Sequence, residues 1–364
     1  MTEEEHIGPA LEQEITRRDL LKKGGAATGA IVLGSLWTPR SSFGIISKKK
    51  FKIAIVPKGL DNPVFALAKL GLEKRAKELG DIEPIFTAGT KTDTAADIRA
   101  IEGLISQKVD AIGISCNDPK AYVSVINRAV AKGIKVMTWD SDAPTSKRTC
   151  FYGVNSYQVG QKMGKAMSRL IGGKGKIVII SGDAAALNLN LRIKGAKTTL
   201  GSGIKVIKVA YTKDDIPTAI AATEDAIRAN PDLNGLLMVG GWALFSNEGA
   251  TPELVKNKGK IKVVSFDPLQ AVVAYLRDNV AQSVWTQDYW GWGYQSATIL
   301  YGLLHHQKWH KTIPQPSLEV KPKDWKLWQK RWAATSKGVN AAAKVWGEKP
   351  FKSPGPGTGP VVGG

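Results

Sequence analysis

Short hydrophobic segments alternate with amphipathic stretches through most of this 364-residue chain, and this rhythm limits its possible folds more than any other feature. The segments are rich in Val and Ile and lie at residues 51–56, 82–87, 109–115, 134–139, 176–181, 204–211, 234–239, 262–266 and 282–287. Nearly continuous hydrophobic strands separated by helices are typical of parallel sheets covered by helices on both faces. Because the rhythm pauses near residue 150 and then resumes, the sequence predicts an α/β protein with two doubly wound parallel-sheet lobes.

The first 47 residues precede this pattern and are predicted to be an export signal and a linker. Arg17 and Arg18 stand shortly before a mildly apolar stretch at residues 24–37, which polar residues follow. The sequence TRRDLLK at 16–22 resembles a twin-arginine translocation signal, which directs folded proteins across a membrane. A phosphate-binding glycine loop is excluded because no strand precedes the glycines. A retained signal acting as a membrane tether is the weaker alternative, since a permanent span needs about 20 apolar residues.

The composition argues against several classes of function. The net charge is +19, from 51 basic and 32 acidic residues, but the basic residues are spread along the chain, which does not favour nucleic-acid binding. The 4 histidines all lie outside residues 50–300, and the two cysteines, Cys116 and Cys150, lack a CxxC spacing. We therefore expect no metal site and no cofactor. The cysteines are either small buried side chains or, in an oxidising compartment, one disulfide.

Polar or aromatic residues follow several of the predicted strands. Asp140 and Asp267 come directly after two of them, Gln287 ends a third, and Trp242 follows two glycines after a fourth. Ligands of open parallel sheets bind at the carboxyl ends of the strands. An aspartate there can also cap the next helix, which is what we expect of Asp118. Carboxylates and amides interleaved with rings predict a site for a small polyhydroxylated molecule.

Several stretches of the body resemble the ribose/galactose-binding group of periplasmic sugar-binding proteins, the type I receptors of ABC importers. They are KIAIVPKGLDNPVFALAKLGLEKRAKELG (52–80), LISQKVDAIGIS (104–115), AVAKGIKVMTWDSD (129–142), YGVNSYQVGQKMGKAM (152–167), VVSFD (263–267) and VWTQDYWGWGYQSA (284–297). The resemblance covers about residues 50–320. It implies two lobes joined by a hinge of three chain crossings, which would lie near 154–155, 287–289 and 311–313.

The lobe boundaries follow from these crossings and complete the domain prediction. The amino-terminal lobe is expected to comprise residues 48–154 and 288–312. The carboxyl-terminal lobe is expected to comprise residues 155–287 and 313–345. Residues 346–364, which are rich in Pro and Gly, are predicted to form a disordered tail.

In the first lobe the resemblance implies ligand contacts from Asn62, Phe65 and Asp140. Lys58 resembles a lysine that reaches the ligand in autoinducer-type receptors. The sequence departs from the family pattern at two positions. Val64 replaces the first aromatic residue of the turn motif, and Ser141 replaces the arginine that follows the aspartate in ribose receptors, which argues against ribose.

In the second lobe the resemblance implies ligand contacts from Arg192, Asp267 and Gln287. Trp242, with Gly241, stands where the family has an Asn-Asp pair, and its position after a strand predicts that its ring touches the ligand. A ring in place of two polar side chains points to a different sugar or polyol.

The two-lobed arrangement predicts a mechanism of ligand binding and leaves some alternative functions open. A ligand that contacts both lobes shifts an open and closed equilibrium toward the closed form, which a membrane permease would recognise. We expect a monomeric, non-enzymatic periplasmic receptor. One alternative is a receptor that presents its ligand to a membrane sensor. A glycoside hydrolase using two carboxylates is a remoter one, and a transcription regulator would need a DNA-binding domain where residues 1–50 hold the export signal.

Overall fold

Residues 50–347 are described by a computed structural model, in which twelve strands form two six-stranded sheets. In chain order they are β1 (Phe51–Val56), β2 (Ile82–Phe86), β3 (Ala111–Ile114), β4 (Lys135–Trp139), β5 (Phe151–Gly153), β6 (Lys174–Ser181), β7 (Gly203–Tyr211), β8 (Leu233–Met238), β9 (Lys262–Phe266), β10 (Ser283–Trp285), β11 (Thr312–Pro314) and β12 (Glu319–Val320).

The two sheets repeat one arrangement. The first has the order β11-β5-β4-β3-β1-β2 and is parallel throughout. The second has the order β12-β10-β9-β8-β6-β7 and is parallel except for β12, which pairs antiparallel with β10. The predicted fold of two doubly wound lobes is confirmed. We call the parts built on these sheets the first lobe and the second lobe; β4 and β9 occupy equivalent positions in them.

The helices lie between the strands, as the amphipathic stretches predict. They are α1 (Ala66–Leu79), α2 (Thr94–Ser106), α3 (Tyr122–Ala131), α4 (Ser156–Leu170), α5 (Leu187–Lys197), α6 (Ile216–Ala229), α7 (Pro252–Lys256), α8 (Val272–Arg277), α9 (Gly291–Leu304), α10 (Trp325–Thr335) and α11 (Val339–Trp346). Several begin at a side-chain cap: Asp93, Asn155 and Asp215 each accept hydrogen bonds from N–H groups in the first turn of the helix that follows. These caps satisfy donors that the helix itself cannot pair.

Close packing of α5 against α4 fixes the position of two side chains that face the other lobe. A Cβ atom on Gly195 would lie 2.0 Å from the carbonyl oxygen of Tyr157, and one on Gly160 would lie 2.2 Å from that of Arg192. Glycine is needed at both positions because the two helix backbones touch there. This contact fixes the distance between α5 and α4, and therefore the positions of Asn188 and Arg192 on α5.

The chain crosses between the lobes after β5, after β10 and after β11. The third crossing comes later than the expected residues 311–313, because residues 312–314 form β11 and pair with β5 in the first sheet. It therefore lies at residues 315–318, and the expected boundary between residues 312 and 313 divides a strand. In this strand only Ile313 is buried, so the sequence contains no hydrophobic run that would mark it as a strand.

The start of the predicted tail is also corrected. Trp346, its first residue, ends α11 and is 1% exposed. Its ring contacts those of Trp328 and Trp332, with centroids 5.7 and 5.0 Å away, and burial of so large a ring stabilises the helix that carries it. Residues 348–364 lie outside the described residues.

Three further expectations concern the cysteines, the signal and the membrane. Cys116 and Cys150 are both buried free thiols, so the disulfide alternative is not formed, and burial raises the pKa of Cys150 to about 12. The predicted signal with Arg17 and Arg18 lies outside the described residues. Within residues 50–347, no helix combines the length and apolar character needed to cross a membrane.

Candidate ligand-binding cleft

Side chains from both lobes line one cavity at the carboxyl ends of the two sheets. Every ligand-binding residue predicted from the sequence lies there: Lys58, Asn62, Phe65, Asp140, Arg192, Trp242, Asp267 and Gln287. The rest of the lining consists of Val64, Asn188, Leu189, Asp214, Phe245 and Trp292. The structure thus brings together residues that are up to 234 positions apart in the sequence, since Lys58 and Trp292 line the same cavity.

Asp140 and Asp267 occupy the same backbone position in the two lobes. Each directly follows its strand, β4 or β9, and has a left-handed φ, 58° for Asp140 and 60° for Asp267. The N–H of Asp140 donates to the carbonyl of Tyr152 in β5, and that of Asp267 donates to the carbonyl of Trp285 in β10. A positive φ is uncommon for residues with a side chain, and aspartate tolerates it better than most. Both carboxylates line the cavity.

Asp140 is the centre of a polar network that joins the lobes. Its carboxylate lies 3.3 Å from the ammonium of Lys58 and accepts a 2.8 Å hydrogen bond from the hydroxyl of Ser115. From the second lobe, Asn188 donates to Asp140 at 3.2 Å and accepts from Lys58 at 3.2 Å. All four side chains are buried, and the opposite charges of Lys58 and Asp140 compensate each other there.

Asp267 has a different environment, because both of its hydrogen-bond donors are neutral. Gln287 donates from Nε2 at 3.1 Å and Tyr289 donates from its hydroxyl at 2.9 Å, both to Oδ1. Burial raises the pKa of Asp267 to about 6, although the nearby guanidinium of Arg192 and the two hydrogen bonds act in the opposite direction.

Arg192 is fixed by contacts within the second lobe and the hinge. Its guanidinium donates to the carbonyl of Val239 at 2.9 Å and to Oε1 of Gln287 at 3.2 Å. The same group lies over the ring of Phe266, 3.7 Å from its centroid. Burial lowers the pKa of Arg192, and the charge of Asp267 raises it. Within the described part of the chain, its Nε atom has no hydrogen-bond partner.

The first lobe supplies a packed group of rings to the cavity. Phe65, Trp139 and Trp292 contact one another with centroids 5.5 to 5.6 Å apart. Phe65 and Trp292 line the cavity, and Trp139 supports them from β4. Each ring is held by the other two, so the apolar surface they present is rigid.

The second lobe supplies Trp242 from a 3-10 turn after β8. Two glycines leave room for it: a Cβ on Gly240 would lie 2.0 Å from the indole Cζ3, and one on Gly182 would lie 2.6 Å from Cη2. Gly182 also borders Asp214, which accepts hydrogen bonds from the N–H of Asp183 at 3.0 Å and from Thr92 of the first lobe at 3.5 Å. Burial raises the pKa of Asp214 to about 6.

Asn62 has a local role beside its place in the cavity. Its side-chain oxygen accepts a 3.2 Å hydrogen bond from the N–H of Val64 and caps the 3-10 turn Pro63–Phe65. The cap orients the turn so that Phe65 enters the ring group. The amide nitrogen of Asn62 can donate into the cavity, and its oxygen has a second lone pair that can accept there.

Sequence reasoning missed two polar residues of the cleft. Asp214 follows β7 closely, so the rule that selected Asp140 and Asp267 would have found it had the residues after this strand been considered. Asn188 lies in the first turn of α5, one turn before Arg192, and this spacing places both on one helix face. Trp292 is a further cavity residue, and its ring is also buried in the hydrophobic core.

The arrangement offers hydrogen-bond donors, acceptors and aromatic rings to a compact polar molecule. The space left between the side chains is about 30 Å³, which is room for one or two water molecules. A larger ligand therefore needs the lobes to separate before it can enter. Once inside, it would meet donors and acceptors from both lobes and rings on two sides.

Comparison with known proteins agrees with this geometry. The sequence pattern of the family described as periplasmic binding protein domain matches residues 53–308. The chain belongs to this periplasmic binding protein family. A D-ribose/D-allose-binding protein of Pseudomonas aeruginosa is 27% identical over 253 residues, which is 67% of this chain and 79% of that protein. The ribose import binding protein of Bacillus subtilis is 25% identical over 77% of this chain and 90% of its own length.

A solved periplasmic binding protein structure gives the same relationship. An ABC transporter solute-binding protein from Burkholderia graminis, crystallised in complex with D-arabinose, is 31% identical in sequence and superposes with a TM-score of 0.70. The match covers 76% of this chain and 97% of that one. The family match in this chain ends at residue 308, before α10 and α11 begin.

Proposed function

We propose that this protein is an extracytoplasmic solute-binding protein that binds a sugar or a related polyol between its lobes and delivers it to an ABC permease. The observation that carries the proposal is the cavity in which buried carboxylates, cations and amides of both lobes lie beside aromatic rings. These groups pair with hydroxyls, and rings cover the apolar face of a sugar. The sugars named for the relatives, D-ribose, D-allose and D-arabinose, belong to the same chemical class.

The charges of the cavity favour a neutral ligand. Three carboxylates, those of Asp140, Asp214 and Asp267, stand against the two cations of Lys58 and Arg192. An anionic ligand would add to the excess of negative charge in a buried site, which is costly. Ser141 beside Asp140, and Trp242 in place of a polar pair, favour a sugar or polyol other than ribose.

Closure of the lobes on the ligand is the proposed mechanism. Lys58 and Asp140 of the first lobe already meet Asn188 of the second, so the polar groups of the two lobes are complementary. A sugar placed between them would exchange these contacts for its own hydroxyls and keep the lobes together. The ligand shifts the equilibrium because only the closed form offers both sets of contacts.

A ligand screen tests the proposal. Thermal unfolding is measured with D-allose, D-arabinose, D-ribose, D-xylose and common polyols, with ribose 5-phosphate as an anionic control. At 100 times its Kd, a ligand that binds only the folded protein stabilises it by about 2.7 kcal/mol. We expect a concentration-dependent rise in Tm with at least one neutral compound and none with the phosphate. Unchanged melting across the whole neutral panel would contradict the proposal.

The remaining parts of the proposal concern location, assembly and catalysis. We propose that Arg17 and Arg18 send the folded protein through the twin-arginine route to the periplasm, where it acts as a monomer without catalytic activity. Replacing both arginines by lysine should leave the protein in the cytoplasm, whereas normal export of this variant would contradict the route. A single species of about 39.2 kDa or less in sedimentation is expected for the monomer.

A further inference from the structure

We propose that the carboxyl-terminal segment of residues 321–347, which we call the strap, positions Asp267 in the cleft through Trp332 and Trp346. The inference rests on the proposed function, because it assigns Asp267 to ligand binding. Neither tryptophan lines the cavity, so both are positioning residues. The segment lies beyond the part of the chain that matches the family, residues 53–308.

The strap touches both lobes beside the hinge. After β12 leaves the second sheet, the 3-10 turn Pro322–Asp324 and helix α10 pack on α8 of the second lobe. The chain then turns, and α11 packs on α10 and on α1 of the first lobe. The strap is therefore a link between the lobes in addition to the three chain crossings of the hinge. Large buried rings, those of Trp328, Trp332 and Trp346, fill its inner face.

Trp332 holds the backbone directly after Asp267. Its indole Nε1 donates a 2.8 Å hydrogen bond to the carbonyl oxygen of Pro268, across 64 residues of sequence. Asp267 has a left-handed φ of 60°, and its own carbonyl accepts from the N–H of Leu269 at 2.7 Å. Residues held in this region persist only when surrounding contacts fix them. The indole supplies such a contact one residue away from the carboxylate.

Trp346 supports the other side of the same carboxylate. Its ring meets that of Tyr289 nearly at a right angle, 83°, with centroids 6.2 Å apart. The hydroxyl of Tyr289 donates to Asp267 at 2.9 Å. Trp346 is itself fixed by its Nε1, which donates to the hydroxyl of Thr335 at 2.8 Å, and by the ring of Trp332. Two routes from the strap thus converge on Asp267, one through the backbone and one through its donor.

A purely structural role would have different consequences. If the strap only covered apolar surface, changes in it would lower the stability of the fold and leave the properties of Asp267 as they are. If it positions Asp267, a small change in Trp332 should alter the donors that the carboxylate meets. The groups facing that carboxylate are Tyr289 and Gln287 from the hinge, Arg192 from α5 and Asp140 from the first lobe.

The test compares Trp332→Phe with Trp325→Phe in the full chain. Trp332→Phe keeps a ring but removes the donor to Pro268, whereas Trp325, on the same helix, is only partly buried and serves as the matched control. The carboxyl carbon of Asp267 is followed by NMR between pH 4 and pH 8 without added sugar. We expect its titration midpoint to rise in Trp332→Phe, because looser donors stabilise the ionised form less. The midpoint in Trp325→Phe should equal that of the unchanged protein.

Binding provides the second readout. For the sugar with the largest thermal shift in the screen, calorimetry should give an affinity two- to tenfold lower for Trp332→Phe than for Trp325→Phe, as expected for one hydrogen bond. Trp346→Phe should show the same direction of both effects through Tyr289. An unchanged titration midpoint in both Trp332→Phe and Trp346→Phe would overturn the proposal. Because the NMR measurement needs no ligand, a failed sugar screen would contradict the proposed function and leave this test intact.

Discussion

Asp140 and Asp267 stand at equivalent points of two similar lobes, yet their chemical surroundings differ. Each directly follows the third strand in the order of its own sheet, each has a left-handed φ, and both are buried. Asp140 is paired with the cation of Lys58 and contacts the opposite lobe through Asn188. Asp267 is held by two neutral donors next to the hinge. The repeated fold sets the backbone, and the neighbouring side chains decide what each carboxylate does.

The difference suggests a division of labour during closure. Asp140 belongs to contacts that form when the lobes meet, because Asn188 comes from the other lobe. Asp267 belongs to a network of the second lobe and the hinge with Arg192, Gln287 and Tyr289, which requires no contact with the first sheet. In the open cleft a ligand can contact Asp267 and Arg192 in their existing network, whereas Asn188 reaches Asp140 only when the lobes close.

Removing either carboxylate should have the largest effect on binding, and the two variants should differ in stability. Hydrogen bonds to charged groups contribute about 1.5 to 3 kcal/mol each, so Asp140→Ala and Asp267→Ala should each lower sugar affinity by about 100-fold. Asp140→Ala also leaves Lys58 buried without its counter-charge, which should cost about 3 to 5 kcal/mol of unfolding free energy. Calorimetry and urea unfolding measure the two effects.

The control for this pair is the isosteric amide. Asp267→Asn should leave the unfolding free energy at pH 7 unchanged or raise it, because the buried carboxylate is costly when ionised. Asp140→Asn should lower it, because the ion pair with Lys58 is lost. Equal stability losses in the two amide variants would refute the contrast between the sites.

The pH dependence of binding should come from the second lobe. The pKa of Asp267 is raised to about 6, so the carboxylate gains a proton below that pH and can accept fewer hydrogen bonds from sugar hydroxyls. Affinity should fall up to about tenfold per pH unit below pH 6, and this slope should flatten in Asp267→Asn. The unfolding free energy changes in the opposite direction. Because the pKa of Asp267 is raised in the folded state, its contribution to the unfolding free energy falls as the pH rises from about 4 to about 6.

The pKa of Asp214 is also raised to about 6, so its effect on the pH dependence of binding must be distinguished from that of Asp267. Its carboxylate contacts Thr92 of the first lobe, so it can add its own pH dependence to closure. Asp214→Asn should therefore leave the Asp267 part of the profile in place. If Asp214→Asn alone removes the whole pH dependence of binding, Asp267 is not the source of that dependence.

The sequence predicts the sheets better than it predicts the contacts within the cleft. Long hydrophobic runs such as residues 51–56 and 262–266 appear as β1 and β9 because a buried parallel strand leaves an unmistakable pattern. The strands β5, β11 and β12 have three residues or fewer and carry no such pattern. The partners of β11 and β12, which are β5 and β10, are distant in the sequence, and local composition does not record such pairing.

For the cleft, the position of a residue after a strand indicates that it lines the cavity, but the sequence does not indicate which side chains contact one another. The rule that ligands bind at strand ends selects Asp140, Trp242 and Asp267, and all three line the cavity. It does not reveal that Lys58 and Asn188 meet across the lobes, because that contact depends on how closely the lobes approach. The strap contacts of Trp332 and Trp346 are hidden for the same reason, since they join segments more than 50 residues apart.

The smallest expected effect concerns the room that Gly240 leaves for the second-lobe ring. A Cβ atom there would lie 2.0 Å from Cζ3 of Trp242, so Gly240→Ala must push the indole out of place. We expect sugar affinity to fall several-fold, because one of the two ring surfaces is displaced while the polar network of Asp267 is kept. Gly103→Ala is the matched control: a Cβ at Gly103 meets nothing within 4 Å, and in the interior of α2 alanine should raise the unfolding free energy by about 1 kcal/mol. If Gly240→Ala binds the sugar as tightly as Gly103→Ala does, the ring of Trp242 does not contact the ligand, and the rings of the first lobe alone cover its apolar face.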